Sequence, residues 1–365
     1  MIRNNVEIRP FEDCIKKVKY TKKVASQDFK ESGRFPIVSQ EEAFISGYWD
    51  NPDDVFSIDG PVVIFGDHSR HVKYVDFDFV IGADGVKILA PVDDINAKYF
   101  YYYLKSQRIQ SLGYSRHYKV LKEKMVPVPS LADQQRIVDE LDLLSGIVEK
   151  KNAQLKIMGD LEQSVFYEMF DQPDSSSFPV FKLSQLSRQK LSYGSGASAV
   201  EFNGNVRYVR ITDIQEDGTL TENSMSPDSY DEKYLLHEGD ILFARSGATV
   251  GKTFLYNKQD GKSIYAGYLI RFVPDVSVVY PEYIYHFTRS QYYKAFVRAN
   301  AQAVAQPNIN AQQYGNLEIC VPPMSLQKDF VERIMSIDSQ KATIRRSIKV
   351  AQNLFASRLD NYFNV

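Results

Sequence analysis

The chain has 365 residues, with 44 Lys+Arg against 46 Asp+Glu and a formal net charge of -2 at pH 7. Its hydrophobic content of 44%, with 13% aromatics, excludes a largely disordered chain and suits two or three cored units of about 100 to 200 residues each. Near-neutrality excludes a polycation that coats nucleic acid by bulk charge, but not a reader that presents a few basic loops.

The opening, MIRNNVEIRPFED, lacks the apolar core of a signal peptide, and no stretch approaches the roughly 18 apolar residues of a membrane helix. Cys14 and Cys320 share no ligand or redox spacing, which fits a reducing compartment. A cytoplasmic protein is expected. Next come Lys16, Lys17, Lys19, Lys22 and Lys23, with no acid among them, as candidate phosphate contacts or a solvated strand face.

From Asp59 the chain runs through elements that recur after Glu238. Asp59-Gly60 leads into the apolar Val62 to Phe65, and Glu238-Gly239-Asp240 leads into Ile241 to Phe243. After a polar loop, Asp84 to Pro91 (DGVKILAP) corresponds to Gly267 to Pro274 (GYLIRFVP), and Tyr99 to Gln107 (YFYYYLKSQ) to Tyr283 to Gln291 (YIYHFTRSQ). These aromatics suit the buried face of a short amphipathic helix better than a base-stacking platform. Each half closes on prolines, Val126-Pro-Val-Pro129 before Leu131 and Gln134, and Ile319-Cys-Val-Pro-Pro323 before Leu326 and Gln327.

Long helices follow. The first predicted apolar seam is Ile137, Leu141, Leu144, Val148, Leu155, Met158 and Val165; the second is Phe330, Ile334, Ile337, Ile344, Ile348 and Phe355. Steps of three and four predict a coiled coil. Ser130 with Asp133 is the predicted cap of the first helix and Ser325 of the second. Because Met324-Ser325 intervene before Leu326, the second helix is expected to begin in a shifted register. Residues 131–172 hold 4 basic and 9 acidic side chains, net -5, and 326–365 hold 7 and 4, net +3, so the helices are natural partners. A pseudo-twofold repeat would set them antiparallel.

The expected class is α+β: two similar mixed α/β globular domains separated by an antiparallel coiled coil of two long helices. The predicted divisions are 1–130, 131–172, 173–325 and 326–365, with a linker composition at Asp171 to Pro179.

Three strings resemble catalytic motifs. Ser246-Gly-Ala-Thr-Val-Gly-Lys-Thr253 is like a phosphate loop ending Gly251-Lys252-Thr253, but one residue short and followed by a strand-like run rather than a helix. Asp228 with Asp231-Glu-Lys233 reads as a solvated turn rather than a nuclease centre, and His68 with His71 lacks further metal ligands. A nucleotide-binding enzyme and a helical scaffold without a DNA role remain the alternatives.

The strings VPVPSLADQQRIV (126–138), YVRITDI (208–214), GDILFAR (239–245) and ICVPP (319–323), in this order and with this duplication, resemble the specificity subunit of type I restriction-modification systems over essentially the whole chain. The resemblance implies that each target-recognition domain reads one half of a bipartite double-stranded DNA sequence. It implies no catalysis and no cofactor in this chain. Two modification (methyltransferase) subunits would bring S-adenosylmethionine, restriction subunits would bring ATP and Mg, and there would be no membrane partner.

Base reading needs paired donors and acceptors on loops held by a rigid scaffold. In the first half the candidates are His68, Ser69, Arg70, His71 and Lys73, then Arg116, His117 and Lys119. In the second they are Tyr193, Ser195, Arg210, Arg245, Ser246 and Lys252, then the amide-rich Gln302, Gln306, Asn308 and Asn310, which turn and cap chemistry explains as well. About 35 helical residues at 1.5 Å each would span roughly 50 Å, or about 15 base pairs, as an upper bound between half-site centres.

Overall fold

The structure is a computed structural model that describes residues 6–110, 113, 115–170, 178–301 and 307–364. Among the described residues the α-helices are α1 (Ala97–Ser106), α2 (Tyr118–Lys122), α3 (Leu131–Phe170), α4 (Pro281–Phe287), α5 (Gln291–Ala301), α6 (Ala311–Gly315) and α7 (Met324–Phe363). None is long and apolar enough to cross a membrane. The chain divides into two compact units, Met1–Asn152 with Arg346–Val365, and Ala153–Arg345. Each unit thus takes a stretch of both long helices, and the fold is α+β.

In the first unit a four-stranded sheet runs Ile15–Lys16, Val86–Pro91, Val62–Gly66, Val72–Val75. The strand Glu7–Pro10 pairs antiparallel with Met125–Val128. Val62–Gly66 is buried on both faces, which explains its unbroken apolar run. A second sheet is built on Phe79–Gly82, which pairs parallel with Lys23–Val24 and with Phe35–Val38. Helix α1 starts where the Asn96 side chain accepts from the N–H groups of Lys98 and Tyr99, at 2.8 and 3.2 Å. Its Tyr99, Phe100, Tyr102 and Tyr103 are all buried, so the aromatic run is core.

The second unit repeats this plan. Its four-stranded sheet runs Ser192–Tyr193, Leu269–Phe272, Ile241–Ala244, Thr253–Leu255, and Val180–Lys182 pairs with Glu318–Cys320. Tyr283 donates to the Cys320 carbonyl as Tyr99 donates to that of Pro127. The units differ around this frame. Among the described residues the second has, in place of the larger second sheet, one parallel strand pair, Arg207–Val209 with Ser263–Tyr265, and it gains α5.

Each long helix is tied to its own half by one buried glutamine. Gln134 Oε1 accepts from the N–H of Asn96, which caps α1, at 2.7 Å, while its Nε2 donates to the carbonyls of Asp94 and Pro129, both at 2.9 Å. Gln327 Oε1 accepts from the N–H of Tyr280, which caps α4, at 2.8 Å, while its Nε2 donates to Val278 and Pro322 at 3.2 and 2.8 Å. Both are the fourth residue of their helices, so no register shift separates the repeats. The expectation of one fails because α7 already begins at Met324; Leu131 corresponds to Met324, not Leu326. For the same reason Ser325 lies inside the first turn and is not the cap. Ser130 Oγ does accept from the Asp133 N–H, at 3.2 Å.

The seam positions Ile137, Leu141 and Leu144 are buried in the first unit, where the other end of α7 brings Phe363 against Tyr99 and Tyr103. In the second unit Phe330, Ile334 and Ile337 are buried, with Met158 and Val165 packed on their cluster; Phe166 stacks on Tyr283, and Phe170 meets Phe330 and Tyr283, as Phe166 meets Phe330, edge-on. Within each unit the start of one long helix therefore meets the end of the other, an antiparallel arrangement. Ile344 and Ile348 are buried, and Val148, Leu155 and Phe355 are half-buried.

Ion pairs between the helices follow the segment charges, with the acid on α3 and the base on α7. Glu140 pairs with Arg358 at 2.8 Å in the first unit and Glu162 with Lys341 at 2.6 Å in the second. Nearby, burial lowers the pKa of His286 to about 3, which keeps that core histidine neutral.

Candidate nucleic-acid interface

The strand Ile241–Ala244 ends at Arg245, and the backbone there is held from two sides. The Arg245 N–H donates to Tyr268 O at 3.1 Å, and its carbonyl accepts from the Ile309 N–H at 2.8 Å. The guanidinium lies over the Tyr193 ring, 4.7 Å from its centroid, and Nε donates to Asn308 Oδ1 at 3.3 Å. The Tyr193 hydroxyl accepts from the Ala311 N–H at 3.1 Å, and the Gly247 N–H donates to Pro307 O at 3.0 Å. Residues far apart in sequence, Tyr193, Arg245, Ser246 and Asn308, thus form one corner. Tyr268, among the most exposed aromatics, stands on its edge.

The first unit has the same corner with different side chains. Gly66 pairs with Val86 as Ala244 pairs with Leu269, so Asp67 occupies the position of Arg245. Its N–H donates to Gly85 O at 2.7 Å, and its carbonyl accepts from the His117 N–H at 2.8 Å. By this correspondence His117 matches Ile309 and Arg116 matches Asn308. Asp67 is buried and accepts from the Tyr118 N–H at 2.8 Å. Arg116 is exposed, and among the described residues no carboxylate lies within ion-pair reach of it or of Arg245.

Beside this corner a cleft of about 580 Å³ is lined by Gln40, Glu41, Glu42, His68, Ser69, His71 and Gly113. The Gln40 amide accepts from the His68 N–H at 3.1 Å, and Ser69 Oγ donates to the Gln40 carbonyl at 2.5 Å. Gly85 has φ +79°, and a Cβ there would fall within 2.9 Å of both the Gln40 amide and the His68 ring, so only glycine admits this approach. Arg70 is exposed and donates to Ile109 O at 2.9 Å.

Several expected contacts are spent inside the fold. His117 is fully buried, with Nδ1 against Asp67 O. Lys73 is buried, donates to Ser39 O at 2.9 Å and Ala43 O at 2.5 Å, and burial holds its pKa below the usual value. Ser195 is buried, and its N–H donates to Tyr265 O at 2.8 Å. Arg210 is paired to buried Asp213 at 2.7 Å, and Lys252 to Glu216 at 2.7 Å. Asn310 caps α6 by accepting from the Gln313 N–H at 2.9 Å. Each of these already has a partner within the protein.

The lysine cluster is divided. Lys16, Lys17 and Lys19 line another cleft with Asp59 and Gly60, at the start of the strand Val62–Gly66, whereas His68 follows its end. Lys16 pairs with Asp93 at 2.5 Å, and Lys23 lies over the Tyr20 ring. Lys17, Lys19, Lys22 and Lys119 are exposed. Gln302 and Gln306 lie outside the described residues.

The phosphate-loop resemblance ends at the backbone. Gly247–Thr249 is a single 3-10 turn, and Thr253–Leu255 is a strand, so no helix follows the Gly251-Lys252-Thr253 segment as a phosphate loop requires. Among the described residues no cluster of His, Cys, Asp and Glu has the makings of a metal site. The places of Gln40, Glu41 and Glu42 in the cleft and of Tyr268 beside Arg245 were not legible in the sequence. The glycine before Tyr268 was the one local sign that this residue sits in a turn.

Comparison with known proteins agrees with the repeated plan. The Type I restriction modification DNA specificity domain family matches residues 4–157 and 178–352. The specificity subunit of the type I restriction enzyme EcoR124I/EcoR124II of Escherichia coli is 25% identical over 93% of this chain and 89% of its own length. That of EcoBI, also from Escherichia coli, is 20% identical over 87% of this chain and 74% of its own. The fold is similar to the S subunit of a type I system from M. genitalium, with TM-score 0.60, 14% identity and coverage of 99% and 97% of the two chains. A chain from a study of complex assembly and conformational transition of the type I R-M system has TM-score 0.53, 13% identity and coverage of 100% and 98%. With its match extending through both globular halves and their corners, the chain belongs to the type I restriction-modification DNA specificity family, as a non-catalytic specificity subunit.

Proposed function

We propose that each globular half reads one half of a bipartite double-stranded DNA target, that α3 and α7 set the spacing between the half-sites, and that the same helices dock two modification subunits. The observation that supports this reading is the duplicated corner, in which equivalent scaffolds carry Arg245 with Asn308 in the second half and Arg116, at the position of Asn308, in the first. Arg70, His68, Ser69 and His71 line or border the first reading surface, with Tyr193 and Ser246 at the second; Lys17, Lys19, Lys22 and Lys119 are phosphate contacts that set register without reading sequence. The functional segments are 1–130, 131–172, 173–325 and 326–365. S-adenosylmethionine belongs to the modification subunits and ATP with Mg to restriction subunits, and the complex acts in the cytoplasm.

The test is co-expression with a modification subunit and genome-wide mapping of methylated adenines. A new bipartite motif is expected; absence of any new methylation would defeat the reading. The same assay tests the spacing role. Inserting about one helical turn within 145–165 is expected to lengthen the tolerated spacer by one or two base pairs with both half-sequences unchanged. Altered half-sequences at constant spacing would refute the ruler.

A further inference from the structure

We propose that Arg245 reads a guanine in the half-site of the second globular half, with Tyr193 as the positioning residue that holds its guanidinium for that contact. This inference rests on the reading above and names the base and the geometry.

Arg245 differs from the neighbouring arginines in what it leaves free. Arg210 is bidentate to Asp213, Arg271 is buried against Asp240 at 2.7 Å, and Arg207 is spent on the Thr221 carbonyl at 2.6 Å. Arg245 has one face on the Tyr193 ring and its Nε on the neutral Asn308 amide. Among the described residues its two terminal nitrogens have neither a carboxylate nor a hydrogen-bond partner. A guanidinium fixed in this way presents a planar fork of parallel N–H donors. In the major groove only guanine offers that fork two acceptors, O6 and N7. Tyr193 is itself anchored, because its hydroxyl accepts from the first N–H of α6, so the stacked pair is held on both sides before DNA arrives.

The test uses the full chain assembled with modification subunits and duplexes carrying its methylated motif. Replacing each guanine in turn by 7-deazaguanine removes N7 alone. At one position in one half-site the wild-type complex is expected to lose roughly 5- to 150-fold in binding, with the other half-site insensitive. In Arg245→Lys and Tyr193→Ala that sensitivity disappears, and the mapped motif accepts other bases there, while Tyr193→Phe, which keeps the stacked ring but loses the anchoring hydroxyl, retains part of the sensitivity at the same position. A flat 7-deazaguanine scan in the wild type overturns the proposal, as does an Arg245→Lys complex weakened equally on all sequences with a shallower salt dependence, which marks a phosphate anchor. A wild-type complex that methylates no bipartite motif overturns the functional reading itself.

Discussion

Replacing Lys341 by methionine is expected to destabilise the second unit by about 3–5 kcal/mol, whereas Lys341→Met combined with Glu162→Met is expected to be neutral or stabilising. The pair is nearly buried, 14% and 8% exposed, so removing the lysine leaves a carboxylate without its compensating charge in an apolar seam. Asp338, 3.5 Å from the same ammonium, is exposed and gains little from it. Burial raises the Glu162 pKa above its ordinary value of 4.5, while the Lys341 hydrogen bond and charge pull it down. With its folded pKa raised, Glu162 stabilises most below the ordinary value, and that contribution is lost as pH rises through the folded pKa. Loss of Lys341 raises the folded pKa further. The deficit of Lys341→Met against wild type is therefore expected to be small near pH 5 and larger near pH 8. Denaturant titrations of the four members of the cycle at both pH values measure it; a pH-independent deficit, or a double variant as unstable as the single, contradicts the account. The pair also fixes register, because sliding the helices would strand both charges.

Gln134→Leu and Gln327→Leu are each expected to cost about 3 kcal/mol or more, confined to their own units. Each amide satisfies one backbone N–H and two carbonyls at a site fully shielded from water, and leucine leaves all three unpaired. Hydrogen exchange separates the two cases. Gln134→Leu should release the Asn96 amide and the first turn of α1, and Gln327→Leu the Tyr280 amide and the first turn of α4. Uniform loss of protection through both units would show that these residues are not local clasps.

The long helices were legible in the sequence because their signal is local. Apolar steps of three and four specify a buried face whatever it meets, and the recurring proline, helix and glutamine order survives divergence of the side chains around it. The same period also held a clue that apolarity alone passes over. Among the seven-residue jumps in the predicted seams, those from Met158 to Val165 and from Ile337 to Ile344 pass over Glu162 and Lys341, which meet in the structure. The aromatic ends, Phe166, Phe170 and Phe363, were missed because they pack on α4 and α1 as well as on a helix partner.

The candidate corners were only half legible. Loops rich in Arg, His and amides stood out by composition, but composition does not distinguish Arg245 from Arg210, or Arg116 from its neighbour His117. Those differences depend on partners far away in the chain: Asp67 buries His117, Ser39 and Ala43 take Lys73, and Glu216 takes Lys252. The sequence by itself determined the duplicated α+β plan, the two long helices, their opposite charges and the family. Tertiary structure alone decided which cations remain unpaired, and that the helix registers coincide. The physical reason is range: periodicity and capping act within a few turns, whereas the free energy of a charge is set by whatever packing brings within about 4 Å.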